Sequence, residues 1–317
     1  MKVAITGANG FVGSSLVAAF AAAGHDVRAA ARRPVPGLPD SATWVRAPDL
    51  GPAGDWRAVV LGREVVVHAA ARVHRLTDRS PDPEAEYRAA NVDGTLALAR
   101  QAAAAGVARF VFLSSIKVNG EATPPGRAFR AADPPAPVDA YGGSKAQAEA
   151  ALFALGRESG MEITVIRPVL VYGPGVGANF AAMVRAVARR VPLPLGAVRN
   201  RRSLLFVGNL SSLALCAAAH PNAPGRVFLA SDGEDLSTPA MLRRLARPLG
   251  RRALLVPVPP GLLRAAGRIA GRTSQVERLL GSLEVDLEPT RRALGWSPPF
   301  SIDEGFAATT AAFLEGG

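Results

Sequence analysis

The sequence of 317 residues is poor in cysteine, lysine and aromatic residues. Cys216 is the only cysteine, so no disulfide can form within the chain, and a reducing compartment such as the cytoplasm is the simplest expectation. Lysine occurs only at Lys2, Lys117 and Lys145, whereas lysine and arginine together number 37. The net charge of +11 does not predict nucleic-acid binding, because the arginines are spread along the chain and no basic run is interleaved with aromatic residues, which make up 6%.

Continuous apolar runs are also missing. The chain contains no run of about 18 apolar residues that is free of charged residues and proline clusters, so we expect no segment that inserts into a membrane. Residues 1–24 imitate a signal peptide, but Asn9 and three spaced glycines interrupt their apolar stretch, and we interpret them as folded protein. With 49% hydrophobic and 20% charged residues, the chain is expected to be a soluble globular protein with one large core or two joined cores.

The first half of the chain alternates short β-branched runs with longer alanine-rich stretches, which is the spacing of β-α units in a parallel sheet. The strands are continuous apolar runs, as a sheet covered on both faces requires. The pattern predicts a doubly wound parallel α/β sheet of the Rossmann type. The predicted strands are Lys2–Thr6, Asp26–Ala30, Thr43–Arg46, Val65–His68, Phe110–Leu113 and Ile163–Ile166, and the predicted helices are Phe11–Ala23, Trp56–Leu61, Glu84–Ala105 and Tyr141–Ser159.

The composition changes after Arg167 and Pro168, where prolines and glycines become frequent. We predict a dinucleotide-binding domain over residues 1–167, to which a later segment of about residues 200–222 returns. A smaller α/β region over residues 168–317 is expected to bind mainly the substrate. Its predicted elements are helices Ala178–Arg190 and Pro239–Leu249 and short strands near Leu204 and Val227.

Three glycines, Gly7, Gly10 and Gly13, follow the first predicted strand and open the first predicted helix. Glycine at such a turn permits a positive φ, and the later glycines allow a pyrophosphate to approach the backbone and the helix to pack on the strand. The helix N-terminus faces the anion with free N–H groups. The spacing is GxxGxxG and not the usual GxGxxG, but its place between a strand and a helix predicts a dinucleotide site.

The end of the second predicted strand bears on which dinucleotide is bound. An NAD site usually has an acidic residue there, whereas an arginine can receive a 2′-phosphate. The segment contains no acid and ends with Arg32 and Arg33. We therefore favour NADP(H) over NAD(H), with both arginines as candidate phosphate contacts; solvated loop arginines are the alternative.

Tyr141 and Lys145 are four residues apart at the start of a predicted helix, so they lie on one face, one turn from each other. An ammonium near a phenol stabilises the phenolate and is expected to lower the phenol pKa, so that the tyrosine can exchange a proton with an alcohol or carbonyl. A compact ammonium on a flexible stem also reaches ribose hydroxyls, which explains a lysine in a chain that otherwise uses arginine. An exposed Tyr and Lys without function is the alternative for the pair alone.

Ser114 and Ser115 end the predicted strand Phe110–Leu113. Open α/β sheets bind their ligands at the carboxyl ends of the strands, so a hydroxyl here could polarise the reacting oxygen. Serine after a strand is also common as a turn residue.

Together these motifs resemble the extended short-chain dehydrogenase/reductases, and within them the nucleotide-sugar epimerases and reductases, such as UDP-glucose 4-epimerases. The segments Ser114–Glu121, Asn200–Leu204 and Ser231–Thr238 are similar to bacterial polysaccharide enzymes that reduce a UDP-4-keto-6-deoxy-N-acetylhexosamine at C4. The motifs that carry the resemblance are Gly7, Gly10 and Gly13, His68–Ala71, Asn91–Thr95, Ser114–Ser115, Tyr141 with Lys145, and Arg167–Gly175.

The resemblance implies a role for each matching residue. Tyr141 would be the general acid/base, Lys145 its partner and ribose anchor, and Ser115 the hydroxyl that holds the sugar oxygen. Contacts to the dinucleotide are implied for the glycine loop with Asn9, Phe11 and Val12, for Asp49 and Leu50, for Ala69, Ala70 and Ala71, and for Asn91, Ser114 and Pro168. Asn179, Arg202 and Arg278 would contact a UDP-linked sugar, and a homodimer is implied as the assembly.

The resemblance leads us to expect an NAD(P)-dependent C4 reductase of a UDP-4-keto-6-deoxy-N-acetylhexosamine in bacterial surface polysaccharide biosynthesis. A UDP-hexose or UDP-hexosamine 4-epimerase with tightly bound NAD is the alternative, because the same residues serve both reactions. Asn119 and Asn209 replace a tyrosine and an acid that are usual in the family, which bears on substrate fit more than on catalysis. A protein that only senses NADP is a further alternative, but it would not need Tyr141 and Lys145. His25, His68, His74 and His220 lack metal-ligand spacing, so no metal is expected, and His68 is interpreted as a packed structural histidine.

Overall fold

The computed structural model describes residues 1–73, 82–124 and 126–315, without the side chains of residues 178 and 179. Its strands are β1 Lys2–Thr6, β2 Asp26–Ala31, β3 Ala42–Arg46, β4 Val65–His68, β5 Arg109–Leu113, β6 Glu162–Pro168, β7 Leu170–Tyr172, β8 Arg202–Phe206, β9 Arg226–Ala230 and β10 Asp235–Leu236. Its α-helices are α1 Phe11–Ala22, α2 Arg57–Val60, α3 Pro83–Tyr87, α4 Gly94–Ala104, α5 Ala140–Ser159, α6 Ala178–Ala188, α7 Val207–Ala219, α8 Thr238–Ala246, α9 Pro260–Ile269, α10 Thr273–Leu280, α11 Glu288–Leu294 and α12 Ile302–Glu315.

Seven parallel strands form the main sheet in the order β3-β2-β1-β4-β5-β6-β9. The central strands β4 and β5 are buried along their whole length, which is why their sequences VVVH and RFVFL carry apolar residues on both faces. Two separate apolar cores cover the two faces of this sheet. The predicted doubly wound fold of the Rossmann type is confirmed.

A second sheet of three strands, in the order β10-β8-β7, lies in the C-terminal half of the chain. It packs with α6, α8 and α12 around a third apolar core that includes Tyr172, Phe180 and Phe306. The chain returns from this part to the main sheet, because α7 packs against α1 and β9 pairs in parallel with β6. The return extends to Ala230, beyond the predicted residue 222. The division into a cofactor part and a substrate part remains a proposal.

The predicted strands and helices are present, with ends that differ by a few residues. The largest difference is in the predicted helix Glu84–Ala105, where a π-helical segment, Arg88–Asp93, lies between α3 and α4. Segments of this kind are frequent at functional sites because they move one side chain out of the regular helical register. Here the segment carries Asn91. Among the described helices, none has the length and apolar character needed to cross a membrane.

Candidate active site at the carboxyl end of the main sheet

The glycine loop joins β1 to α1 by close backbone contacts. Gly7 has φ +70°, and a Cβ on it would lie 2.9 Å from the Ala70 nitrogen at the end of β4. A Cβ on Gly13 would lie 2.0 Å from the Gly7 carbonyl oxygen, so no other residue fits there. No side chain caps the N-terminus of α1 at Gly10. The loop therefore has the backbone space and the exposed N–H dipoles that fit a pyrophosphate.

Arg32 and Asp49, two of the predicted cofactor contacts, form an ion pair of 3.3 Å between Nη1 and Oδ1. Both side chains are exposed, and Arg33 beside them is exposed as well. Arg28, within β2, does not join this ion pair, because its Nη1 donates to three carbonyl oxygens at α2. Arg32 and Asp49, which follow β2 and β3, are thus close together at the surface. They lie near the glycine loop, because β2 pairs with β1, the strand that leads into this loop.

The end of β4 is fixed by a buried hydrogen-bond network around His68. Its Nδ1 lies 2.6 Å from Thr6 Oγ1 and its Nε2 lies 3.0 Å from Thr95 Oγ1. The Ala70 N–H donates to Thr6 Oγ1 at 3.2 Å. Burial, assisted by the charge of Lys145, lowers the pKa of His68 to about 3, so the imidazole is neutral. The network holds the backbone of Ala69–Ala71 in place, in keeping with the predicted structural role of this histidine.

Asn91 connects the end of β4 to α5. Its Oδ1 accepts from the Arg72 N–H at 2.8 Å, and its Nδ2 donates to the Arg72 carbonyl and to Ser144 Oγ, both at 3.0 Å. The predicted contact of Asn91 with the dinucleotide stays a prediction. What the structure adds is a positioning role, because this amide ties the segment after β4 to the helix that carries Tyr141 and Lys145.

Helix α5 begins with Asp139 as its N-cap, whose Oδ1 accepts from the Gly142 N–H at 2.7 Å. Lys145 is 2% exposed, and its Nζ donates to the Leu113 carbonyl at 2.9 Å. The Ser115 side chain lies close enough to the Tyr141 hydroxyl to lower the pKa of that phenol. Tyr141, near Ser115, and Lys145, on the Leu113 carbonyl, thus both lie by the carboxyl end of β5, and their catalytic roles stay a prediction.

The pKa values in this group differ from the expectation. Burial raises the pKa of Tyr141 to about 12, with further contributions from Asp139 and Tyr87, and Ser115 acts in the opposite direction. Burial also lowers the pKa of Lys145 to about 7, against the effect of Glu149. The expectation that Lys145 lowers the phenol pKa below its usual value is wrong for this geometry, because burial raises that pKa and Ser115, not Lys145, is the group that acts against it.

The two serines after β5 have different partners. The Ser114 hydroxyl donates to the Glu149 carboxylate, and Arg167 donates to the same carboxylate with Nη2 at 2.6 Å and Nε at 3.0 Å. Arg167 Nη1 also donates to Asn119 Oδ1 at 2.9 Å. Glu149 and Arg167 are both buried, so each charge is compensated by the other. The sequence does not predict this network, and its one signal there is an arginine inside the apolar strand β6.

Arg202 and Arg278, the predicted sugar-nucleotide contacts, are neighbours. Arg202 Nη1 donates to the carbonyls of Arg278 at 2.8 Å and Gly281 at 3.1 Å. Burial and the adjacent charge of Arg278 lower the pKa of Arg202. Arg278 Nη2 lies 3.7 Å from Glu121 Oε1, which also accepts from Lys117 Nζ at 2.8 Å. Asn179, the third predicted contact, has a side chain outside the described part of the structure.

Lys117 extends this chain of charges to the catalytic helix, because its Nζ also donates to the Asp139 carboxylate that caps α5. The arginines on the C-terminal half are thus connected to the N-terminus of α5 through Glu121, Lys117 and Asp139. The sequence does not predict this chain of charged groups, because its members come from four separate segments.

Asn209, which replaces the acid usual in the family, is completely buried and paired with an acid from elsewhere in the chain. Its Nδ2 donates to Asp232 Oδ1 at 2.7 Å, and the Tyr172 hydroxyl donates to Asp232 Oδ2 at 2.9 Å. An aspartate at position 209 would face a second carboxylate there, which asparagine avoids. No cluster of three metal-ligating side chains occurs within residues 1–73, 82–124 and 126–315.

Residues 3–230 match the NAD dependent epimerase/dehydratase family, and the chain belongs to this family. It is 42% identical over 316 residues to a UDP-glucose 4-epimerase of Vibrio cholerae, covering 99% of this chain and 96% of that protein. It is 32% identical over 308 residues to a 3-diazoavenalumate denitrifying reductase of a Streptomyces species, covering 94% of this chain and 96% of that protein. The predicted membership of the extended short-chain dehydrogenase/reductases is confirmed, and the chain is an NAD(P)-dependent oxidoreductase or epimerase.

The fold is shared with solved members of this group. A UDP-glucuronic acid 4-epimerase of Bacillus cereus in complex with NAD has a TM-score of 0.79 at 19% identity, with 99% of this chain and 97% of that chain covered. A UDP-glucose 4-epimerase of Thermotoga maritima with UDP-glucose has a TM-score of 0.78 at 22% identity, with 100% of this chain and 99% of that chain covered. At these identities the likeness describes the fold alone.

Proposed function

We propose that the protein is a 4-epimerase of a UDP-linked hexose or N-acetylhexosamine that uses a nicotinamide dinucleotide. The observation that carries the proposal is the 42% identity to a UDP-glucose 4-epimerase over 99% of this chain. The local geometry supports it, because Tyr141 lies near Ser115 and Lys145 binds the Leu113 carbonyl, both by the carboxyl end of β5 and on the same edge of the sheet as the glycine loop.

The cofactor fits the residues that are present. The close backbone approach at Gly7 and Gly13 and the uncapped start of α1 would hold the pyrophosphate. Lys145 would hold the nicotinamide ribose, and the segment Ala69–Ala71, fixed through Thr6, would border it. The bound nicotinamide supplies hydride acceptance and return at C4 of the sugar. Arg32 and Arg33 would receive the adenosine end, and they keep NADP open beside NAD.

Tyr141 would take the proton from the sugar 4-hydroxyl and return it when the carbonyl is reduced again. A phenol with a pKa of about 12 is a strong base once ionised, and Ser115 is placed to share the proton and hold the sugar oxygen. The negative charge of Glu149 favours the ammonium form of Lys145, although burial is the larger effect and lowers the pKa of the lysine to about 7. Arg202 and Arg278 would hold the diphosphate of the UDP group.

A 4-reductase of a UDP-4-keto-6-deoxy-N-acetylhexosamine, which would form UDP-N-acetylquinovosamine for a surface polysaccharide, is the second candidate. It is favoured by the lack of an acidic residue at the end of β2, where Arg32 and Arg33 stand instead. This composition suits NADPH, which a reductase takes up and releases in each cycle, whereas an epimerase keeps its dinucleotide through the cycle.

The test is incubation of the purified protein with UDP-glucose and UDP-N-acetylglucosamine without added nicotinamide, followed by separation of the 4-epimers. We expect interconversion, with a dinucleotide released only on denaturation. In parallel, the 4-keto-6-deoxy sugar nucleotide is supplied with NADH or NADPH while the absorbance of the reduced cofactor is followed. Stoichiometric loss of that absorbance without any epimerisation would overturn the epimerase in favour of the reductase. Absence of both reactions would overturn both.

A further inference from the structure

Arginines occur throughout the chain, but the net charge is concentrated in one segment. Residues 237–282 contain nine arginines and a single acid, Glu277, so they carry +8 of the total +11. This segment spans α8, α9 and α10. It lies outside the catalytic group of Ser115, Tyr141 and Lys145, and of its nine arginines Arg278 alone is among the proposed substrate contacts, so the proposed function does not account for the other eight. A concentration of one sign on one part of a surface points to an anionic partner.

Helix α9 is the most exposed element of this segment. Among the described elements its main packing partner is α10, against which Gly267 approaches Val276 so closely that a Cβ would lie 2.7 Å from Val276 Cγ2. Leu262 is 62% exposed and Ile269 is 90% exposed, which is unusual for large aliphatic side chains outside an interface. The rest of the helix surface has almost no buried residues.

The exposed apolar residues of α9 form one stripe. Leu262, Ala265, Ala266 and Ile269 are spaced i, i+3, i+4 and i+7, which places them on a single face of the helix, and all four are exposed. We call these four residues the α9 stripe. The residues that pack on α10 occupy a different face, so the stripe is not the helix's own core-facing side.

Arginines border the α9 stripe. Arg264 and Arg268 are one turn apart on α9, and Arg272 follows beyond its end, at the N-cap of α10; we call these three residues the arginine row. Arg264 pairs with Glu277 at 2.8 Å, whereas Arg268 and Arg272 have no carboxylate partner in the described part of the chain. An exposed apolar stripe with exposed arginines near it, two of them without a carboxylate partner there, is the pattern of a helix that lies in a membrane interface.

The residues that lead into α9 continue the pattern. Arg251 and Arg252 are exposed, and Leu254 and Val256 are 38% and 45% exposed. Aliphatic side chains and arginines therefore reach the surface together over residues 251–272. The same combination does not suit nucleic acid, which offers phosphates but no surface for aliphatic side chains.

We propose that α9, with residues 251–256 before it, docks on the surface of a membrane that contains anionic phospholipids. The α9 stripe inserts at the boundary between the lipid headgroups and the acyl chains, and the arginines bind the headgroup phosphates. This is attachment to one leaflet, which a helix too short to span a bilayer can provide. A second copy of the chain is the less suitable occupant, because a two-fold contact through the stripe would bring the same arginine row of both copies together.

The experiment is vesicle flotation of the full-length protein with phosphatidylcholine alone and with phosphatidylglycerol added. We expect binding to the anionic vesicles that weakens as salt is raised. Leu262→Ser with Ile269→Ser is expected to lower the partition coefficient by about tenfold or more, because two large aliphatic groups lose their apolar surroundings. Arg268→Glu with Arg272→Glu is expected to abolish the preference for phosphatidylglycerol.

Matched controls separate this effect from general surface changes. Leu314→Ser removes a leucine that is 62% exposed, as Leu262 is, and Arg100→Glu reverses an exposed arginine in α4; neither should alter flotation. Circular dichroism and the activity of the variants in solution should equal those of the parent. The proposal is overturned if the parent does not float with anionic vesicles, or if both double variants float as well as the parent. It is also overturned if the serine variant abolishes a dimer seen by analytical ultracentrifugation while leaving flotation unchanged.

Discussion

On the side of the glycine loop the candidate site is lined by backbone, whereas on the side of Arg202 it is lined by long side chains. The first side uses Gly7, Gly13 and the end of β4, where hydrogen bonds fix the main chain. The second uses arginines whose guanidinium groups are held by carbonyls and by Glu121. In the proposed function the backbone surface is the cofactor side and the arginine surface is the substrate side.

The two sides also differ in how their charges are compensated. Under the cofactor side, Glu149 and Arg167 are buried and joined by several hydrogen bonds. On the substrate side, Arg278 and Glu121 are about one-third exposed, so water screens their interaction. Changes on the cofactor side should therefore affect turnover and stability, and changes on the substrate side should affect mainly affinity.

The largest effect is expected for Tyr141→Phe. Removing the hydroxyl leaves the ring and its neighbours in place but removes the proton donor and acceptor, so kcat should fall by about 10²–10⁴-fold. Dinucleotide affinity should stay nearly unchanged in a fluorescence titration, because the glycine loop is untouched. Unchanged turnover would contradict the assignment of the tyrosine.

A comparable loss, in stability rather than turnover, is expected for Glu149→Ala. The substitution leaves the buried Arg167 guanidinium without its carboxylate, which should reduce the free energy of unfolding by about 3–5 kcal/mol in denaturant titration. Glu288→Ala is the matched control, because Glu288 pairs with Arg292 at the surface. It should cost less than about 1 kcal/mol. Equal losses in the two variants would remove the distinction between the buried and exposed charges.

The substrate side should respond through affinity. Arg202→Lys keeps the charge but loses the planar fork that can bind two phosphate oxygens, so KM for the UDP-sugar should rise by about tenfold with a smaller change in kcat. Arg199→Ala, an exposed arginine three residues away, should leave KM unchanged. A fall in kcat with constant KM would place Arg202 in the reaction and not in binding.

Much of the cofactor side could be predicted from the sequence, because it depends on local rules. Gly7 and Gly13 are required by local backbone geometry, and Tyr141 and Lys145 share a face through the helical repeat. The partners of buried charges could not be predicted, because Glu149 and Arg167 meet only after α5 packs on β6. The raised pKa of Tyr141 was missed for a related reason, since the degree of burial is not encoded in the spacing of two residues.

The smallest predicted effect concerns Lys117, the lysine that connects the two sides. Lys117→Met removes the cation beside Asp139, whose negative charge contributes to raising the pKa of Tyr141. The phenol pKa should rise further, by about half a pH unit, so oxidation of the sugar at a fixed pH below that pKa should slow about threefold. Asp139→Asn should act in the opposite direction, because asparagine still caps α5 but carries no charge. The measurement is the rate of alcohol oxidation against pH for the parent and both variants, and shifts of the same sign in the two variants would show that Asp139 does not act on Tyr141 through its charge.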